Sequence, residues 1–119
     1  MKKIFMFILI VLFLSGCSNE EGTITKITCN KMKEIMRDSK AVLLDVRSKD
    51  EYDEGHLDNA KNSPLTKLEN LKKVDHLDSK TPIIVYCKSG VRSNDAAKEL
   101  LKMGFINIYD LGAMSNCNS

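Results

Sequence analysis

A buried strand that runs into a helix through a short glycine-containing loop limits most strongly how this chain can fold. Residues 83–86 are Ile-Ile-Val-Tyr, and a helical pattern begins near Ser93. The loop between them opens with Cys87 and contains Gly90. Such a loop can turn its backbone amides inward, and a helix N-terminus adds about half a positive charge. The stretch therefore predicts a cysteine thiolate held in an anion-binding loop, instead of a cysteine buried only for packing.

Two cationic side chains, Lys88 and Arg92, belong to the same loop. We expect Cys87 to be the nucleophile and the residues after it to bind the substrate; these are Lys88, Ser89, Gly90, Val91 and Arg92. Arg92 has two interpretations. It attracts an anionic substrate, or it bonds the loop from inside and has a structural role.

Strand and helix patterns alternate along the chain and predict an α/β fold. Strands are expected at 23–28, 41–46, 60–65, 83–86 and 105–111, and helices at 29–38, 49–54, 65–74 and 93–103. Residues 112–119 have no period and are expected to form a tail. This order favours a mainly parallel sheet with helices on both faces and right-handed crossovers.

In such sheets the functional site lies at the carboxyl ends of the strands. Asp45 and Arg47 follow one predicted strand and Cys87 follows another, so all three are expected to converge there. Asp45 and Arg47 form either a pair that supports the loop or a strand-end ion pair without a catalytic part.

The N-terminus has the pattern of an export signal. Lys2 and Lys3 precede an apolar run over 4–14 that is too short to span a bilayer. The run ends in Leu-Ser-Gly-Cys at 14–17, which resembles the lipobox of bacterial lipoproteins. The resemblance implies a signal peptide at 1–16, acylation of Cys17, a linker to residue 22 and a domain over 23–119, anchored on the extracytoplasmic face of a membrane. The alternatives are an uncleaved anchor and a plain secretory signal.

Charge and composition exclude some partners. The 119-residue chain has a formal charge of +2, and Lys2 and Lys3 account for that excess. The sequence lacks a basic stripe with interleaved aromatic residues, which is the pattern that would suggest a nucleic-acid surface. Two histidines and scattered cysteines lack metal-ligand spacing, so neither a metal nor another cofactor is expected.

Several motifs, taken in order, resemble a rhodanese domain. They are Leu-Asp-Val-Arg at 44–47, Glu-Tyr at 51–52, Gly-His-Leu at 55–57, Asn-Ser-Pro at 62–64, Val-Tyr-Cys at 85–87 and Gly-Phe at 104–105. The resemblance covers about residues 23–117. It implies a five-stranded rhodanese-like fold, a persulfide on Cys87, and backbone amides of residues 88–92 around that sulfur. The chain departs from its relatives at 112–114, where Gly-Ala-Met stands in place of a common Gly-Gly.

The resemblance implies a sulfurtransferase. The expected partners are a small sulfur donor, such as thiosulfate, and a cyanide or thiol acceptor. Phosphatases on a related fold place five residues between their Cys and Arg, whereas four separate Cys87 from Arg92. The shorter loop suits one sulfur atom better than a phosphate. A non-catalytic binding module is the other alternative.

Cys29 and Cys117 remain after Cys17 and Cys87 are assigned. The family topology places the first strand beside the last, and both cysteines leave those strands at the same end. They form either a disulfide or two buried free thiols. A disulfide closing so long a loop would contribute about 4 kcal/mol through chain entropy.

Overall fold

The computed structural model describes residues 20–71 and 77–117. These residues form a five-stranded sheet in the order β1-β5-β4-β2-β3, and all neighbouring strands are parallel. The strands are β1 (Thr23–Lys26), β2 (Val42–Asp45), β3 (Lys61–Asn62), β4 (Ile83–Cys87) and β5 (Asn107–Ala113). The α-helices are α1 (Cys29–Asp38), α2 (Lys49–Glu54) and α3 (Val91–Lys102), and 3₁₀ segments span Leu65–Asn70 and Met114–Cys117. The predicted α/β fold is confirmed.

Each face of the sheet carries its own apolar core, because side chains alternate along a strand. Val85 and Cys87 face α3, where they pack with Ala96, Ala97 and Leu100. Ile84 and Tyr86 of β4 face the other way and pack with Met32 of α1. Leu43 of β2 and Leu111 of β5 belong to the same cluster. Strand β4 is buried on both faces, which explains its uninterrupted apolar sequence. The predicted placement of helices on both faces is therefore confirmed.

Side-chain caps fix where the first two helices begin. Thr28 Oγ1 accepts a hydrogen bond from the amide of Lys31 and starts α1. Ser48 and Glu51 form a reciprocal capping box at the start of α2. The capping box holds Glu51 close to the edge of the sheet where Cys87 lies.

The structure corrects several predicted bounds. β3 covers only Lys61–Asn62, and residues 65–70 form a 3₁₀ segment instead of an α-helix. The predicted tail is wrong at its start, because β5 continues to Ala113 and pairs Gly112 with Tyr86. A register shift between Val85 and Tyr86 lets the strand continue. A positive φ of 82° at Gly112 lets the chain turn there.

Some predictions fall on residues that the structure does not describe. The leader at 1–16, the Cys17 lipidation site, part of the linker and the end of the predicted 65–74 helix lie outside the described residues. Over residues 20–71 and 77–117, we find no helix with the length and hydropathy needed to cross a membrane.

Candidate active site

The strand-to-helix junction encloses the sulfur of Cys87 in what we call the Cys87 loop, residues 87–93. β4 ends at Cys87, and α3 begins at Val91, two residues before the predicted start. The amides of Gly90 and Ser93 donate to Cys87 Sγ at 3.0 and 3.3 Å. Ser93 lies in the first turn of α3, where amides have no partner within the helix. The sulfur therefore receives hydrogen bonds from the positive end of the helix.

Cys87 lies beneath the loop and has a relative solvent exposure of 0%. Lys88 and Ser89 above it are exposed, and Val91 is 67% exposed. Of the predicted set, Gly90 contacts the sulfur through its amide, and Ser93 was missed. Ser93 takes part because α3 begins two residues before the predicted start, which places the Ser93 amide within hydrogen-bonding distance of the sulfur.

Gly90 adopts a left-handed conformation with φ 99°. A Cβ at this position would meet Gly112 Cα only at 3.8 Å, so space is available. We expect Gly90→Ala to cost about 1–2 kcal/mol of unfolding free energy, because an L side chain disfavours this backbone conformation. Urea unfolding measures the loss. Val91→Ala, at the exposed neighbouring position, is the control, and an equal loss in both variants would contradict the explanation.

Arg92 is engaged in an ion pair across the loop. Its Nη1 and Nη2 donate to Glu51 Oε1 and Oε2 at 2.7 and 3.1 Å. The hydrogen bond from Arg92, followed by that from the Ser48 amide, lowers the pKa of Glu51 to about 2. The same contact raises the pKa of Arg92. This geometry favours the structural interpretation of Arg92, since the guanidinium holds α3 against α2.

The pair predicts a pH dependence of stability. The folded-state pKa of Glu51 lies below its ordinary 4.5, so its contribution is present above about pH 4.5 and is lost as pH falls toward 2. About a third of each side chain is exposed, which limits the contribution to roughly 1 kcal/mol. Glu51→Gln keeps the helix cap but removes the charge, so the variant should lose less stability between pH 5 and pH 2 than the wild type.

Chemical denaturation at a series of pH values measures this difference. Asp50→Asn is the matched control, because Asp50 lies beside Glu51 in the same helix and is exposed. Identical pH profiles for the wild type and Glu51→Gln would contradict the prediction.

Asp45 and Arg47 form a buried ion pair beside the loop. Arg47 Nη2 lies 2.7 Å from Asp45 Oδ2, and the Arg47 amide and Nε also donate to the carboxylate. Tyr86 donates its hydroxyl to the same Oδ2 at 2.7 Å. The hydrogen bond to Asp45 raises the pKa of Arg47, and burial raises that of Tyr86, so the phenol remains a neutral donor.

These side chains do not meet the sulfur of Cys87, although the strand ends are adjacent. Tyr86 and Cys87 are consecutive in β4 and point to opposite faces, and Asp45 bonds Tyr86. Arg47 also donates to the Gly55 carbonyl at 2.7 Å, and Tyr86 accepts from the Leu57 amide. The network therefore joins the segment after α2 to the end of β4, on the sheet face opposite Cys87.

Cys29 and Cys117 are joined by a disulfide, with Cα atoms 5.2 Å apart. The bond ties the start of α1 to the end of the C-terminal 3₁₀ segment. Both cysteines pack on the α1 face, whereas Cys87 packs on the α3 face. Within residues 20–71 and 77–117, Cys87 is the free cysteine.

A five-stranded parallel sheet with a cysteine sulfur held by amides at the β4–α3 junction defines a class of α/β proteins with an anion-binding cysteine loop. The rhodanese-like domain family model matches residues 28–116. The chain therefore belongs to the rhodanese-like family, as the sequence motifs indicated. A second family model, the prokaryotic membrane lipoprotein lipid attachment site, matches residues 1–18.

Curated relatives share part of this chain. It is 33% identical over 78 residues to thiosulfate sulfurtransferase GlpE of Coxiella burnetii, covering 66% of this chain and 71% of that protein. It is 42% identical over 72 residues to the uncharacterized protein YqhL of Bacillus subtilis, covering 60% and 56% respectively. The chain therefore has a rhodanese-like domain and a curated relative that is named a thiosulfate sulfurtransferase.

Solved structures show the same fold. A rhodanese with anions from E. coli superposes with a TM-score of 0.59 at 27% identity, covering 64% of this chain and 89% of that one. The human single-domain sulfurtransferase TSTD1 gives a TM-score of 0.63 at 18% identity, covering 76% and 88%. The second match supports the fold alone.

Proposed function

We propose that this protein is a sulfurtransferase that carries a sulfane sulfur as a persulfide on Cys87. The observation that supports this most directly is the pair of hydrogen bonds from Gly90 and Ser93 to Sγ. Two amide donors at a helix N-terminus stabilise negative charge that develops on sulfur during a displacement. They also remain available to a persulfide at the same position.

The proposed reaction has two displacements. The Cys87 thiolate attacks the outer sulfur of thiosulfate, the sulfur–sulfur bond of the donor breaks, and sulfite leaves with the bonding electrons. A cyanide or thiolate acceptor then attacks the terminal sulfur of the persulfide, and Cys87 leaves as the thiolate. Exposed Lys88 attracts the anionic donor, while Arg92 is occupied by Glu51 and positions the loop.

The phosphatase alternative is weaker because its arginine must bind the phosphate. Here the Arg92 guanidinium donates twice to Glu51. The binding-module alternative does not account for amide donors on a free cysteine sulfur. Neither alternative has a structural observation that favours it over sulfur transfer.

We propose that the domain over 23–119 works at the extracytoplasmic face of a membrane. The lipid attachment site at 1–18 supports lipidation of Cys17 after removal of residues 1–16. The linker to residue 22 is at most roughly 20 Å long when fully extended. The domain would therefore stay close to the bilayer surface.

A substrate panel tests the proposed activity. Purified protein is incubated with thiosulfate and cyanide, and thiocyanate is measured by its colour with ferric ion. A parallel sample receives p-nitrophenyl phosphate. We expect thiocyanate with ping-pong kinetics and no nitrophenol release. Nitrophenol release without thiocyanate would favour the phosphatase, and neither product would favour the binding module.

A further inference from the structure

The Cys29–Cys117 disulfide borders a surface cleft of its own. The cleft encloses about 430 Å³, and both cysteines line it. Each cysteine is only partly buried. A small molecule that enters the cleft therefore lies against both cysteines, on the face of the sheet opposite Cys87.

The surroundings of Cys29 favour its release as a thiolate. Cys29 is the first residue of α1, a helix without acidic residues in its first turn. The helix N-terminus stabilises negative charge there. Lys33 lines the cleft one turn later and adds a positive charge. Asp58 lines the same cleft with a carboxylate, and Met32 and Met36 supply apolar contacts.

We propose that Cys29–Cys117 is a thiol-exchange site for a small thiol, and that its reduction loosens the end of β5 that pairs with Tyr86 and Cys87. A thiolate attacks Cys117 Sγ, the protein disulfide breaks, and Cys29 leaves as the thiolate. A second thiolate attacks the mixed disulfide and releases Cys117. Two thiols are oxidised to one disulfide, and the protein gains two electrons.

The C-terminal 3₁₀ segment connects this disulfide to the Cys87 loop. Gly112 and Ala113 pair with Tyr86 and Cys87 just before the segment begins. A second cleft is lined by Gly90 and Val91 together with the end of β5 and Asn116. After reduction the segment keeps the bond from Asn116 to the Leu111 carbonyl but loses its covalent tie to α1. Since Cys87 is fully buried, a looser end of β5 gives reagents easier access to it.

Native reduction tests the exchange site. The full chain in detergent is incubated with reduced glutathione at neutral pH, quenched with an alkylating reagent, and digested, so that mass spectrometry reports each cysteine separately. We expect Cys29 and Cys117 to become alkylated without denaturant. Lys33→Glu should slow the reduction about fivefold, whereas Lys98→Glu, an equal charge change on α3, should not. A disulfide that resists glutathione until the protein is denatured would overturn the proposal, as would equal rates in both variants.

The coupling is tested through the reactivity of Cys87 with iodoacetamide. We expect Cys29→Ala/Cys117→Ala to react at Cys87 about threefold faster or more, with faster hydrogen exchange over 111–117. Wild-type protein reduced by glutathione and then desalted should behave the same, which covers the case of a variant that does not fold. An unchanged Cys87 rate in the reduced protein would overturn the coupling. Neither readout requires sulfur transfer, so failure of the proposed function would be recognised separately.

Discussion

Asp45→Ala is expected to destabilise the protein by about 3–5 kcal/mol, the largest stability loss that we predict for one side chain. The Asp45 carboxylate has no solvent exposure and accepts hydrogen bonds from Arg47 and Tyr86. The Arg47 side chain is only 8% exposed. Removal of the carboxylate therefore leaves a buried guanidinium without its counter-ion, although it keeps the Gly55 carbonyl, and a buried hydroxyl without the Asp45 acceptor. Urea unfolding monitored by circular dichroism measures the loss.

Asp53→Ala is the matched control. Asp53 also forms an ion pair, with Lys49 at 2.7 Å, but its side chain is 53% exposed and that of Lys49 is 75% exposed. A surface pair of this kind contributes about 0–1 kcal/mol. If Asp45→Ala cost no more than Asp53→Ala, the Asp45–Arg47–Tyr86 network would not stabilise the fold as described.

Cys87→Ser is expected to reduce thiocyanate formation at least about a thousandfold, since the hydroxyl cannot carry a transferable sulfur. The Ser oxygen can still accept the amides of Gly90 and Ser93, so the loop should be retained and the unfolding free energy should change by about 1 kcal/mol or less. Initial rates with thiosulfate and cyanide measure the loss.

Lys98→Ala serves as the activity control for this variant. Lys98 is exposed on α3, outside the Cys87 loop. It should keep the wild-type rate. Wild-type turnover in Cys87→Ser would exclude Cys87 as the sulfur carrier and leave the family fold without the proposed chemistry.

The elements with strong local signals could be predicted from the sequence. Thr28 marks the start of α1, and the apolar run ending at Tyr86 marks β4, because capping and periodicity depend on neighbouring residues. The end of β5 could not be predicted in this way. Gly112 joins the sheet through pairing with Tyr86, which is distant in sequence.

The candidate site also contains some features that local sequence predicts and others that depend on distant residues. Cys87 and Gly90 follow from one continuous stretch of sequence. The partner of Arg92 does not, because Glu51 lies on a different helix and no spacing rule connects them. Asp45 was correctly placed at a strand end, but its bond to Tyr86 directs it to the face opposite Cys87. Convergence of strand ends at one edge does not determine the face on which each side chain lies.

Mass spectrometry of the protein after incubation with thiosulfate tests the central proposal most directly. We predict a mass gain of one sulfur atom, located by digestion on the peptide that contains Cys87 and removed by cyanide. Cys87→Ser should show no gain. An unmodified Cys87 in folded wild-type protein, or a sulfur found on Cys29 or Cys117 instead, would contradict the account.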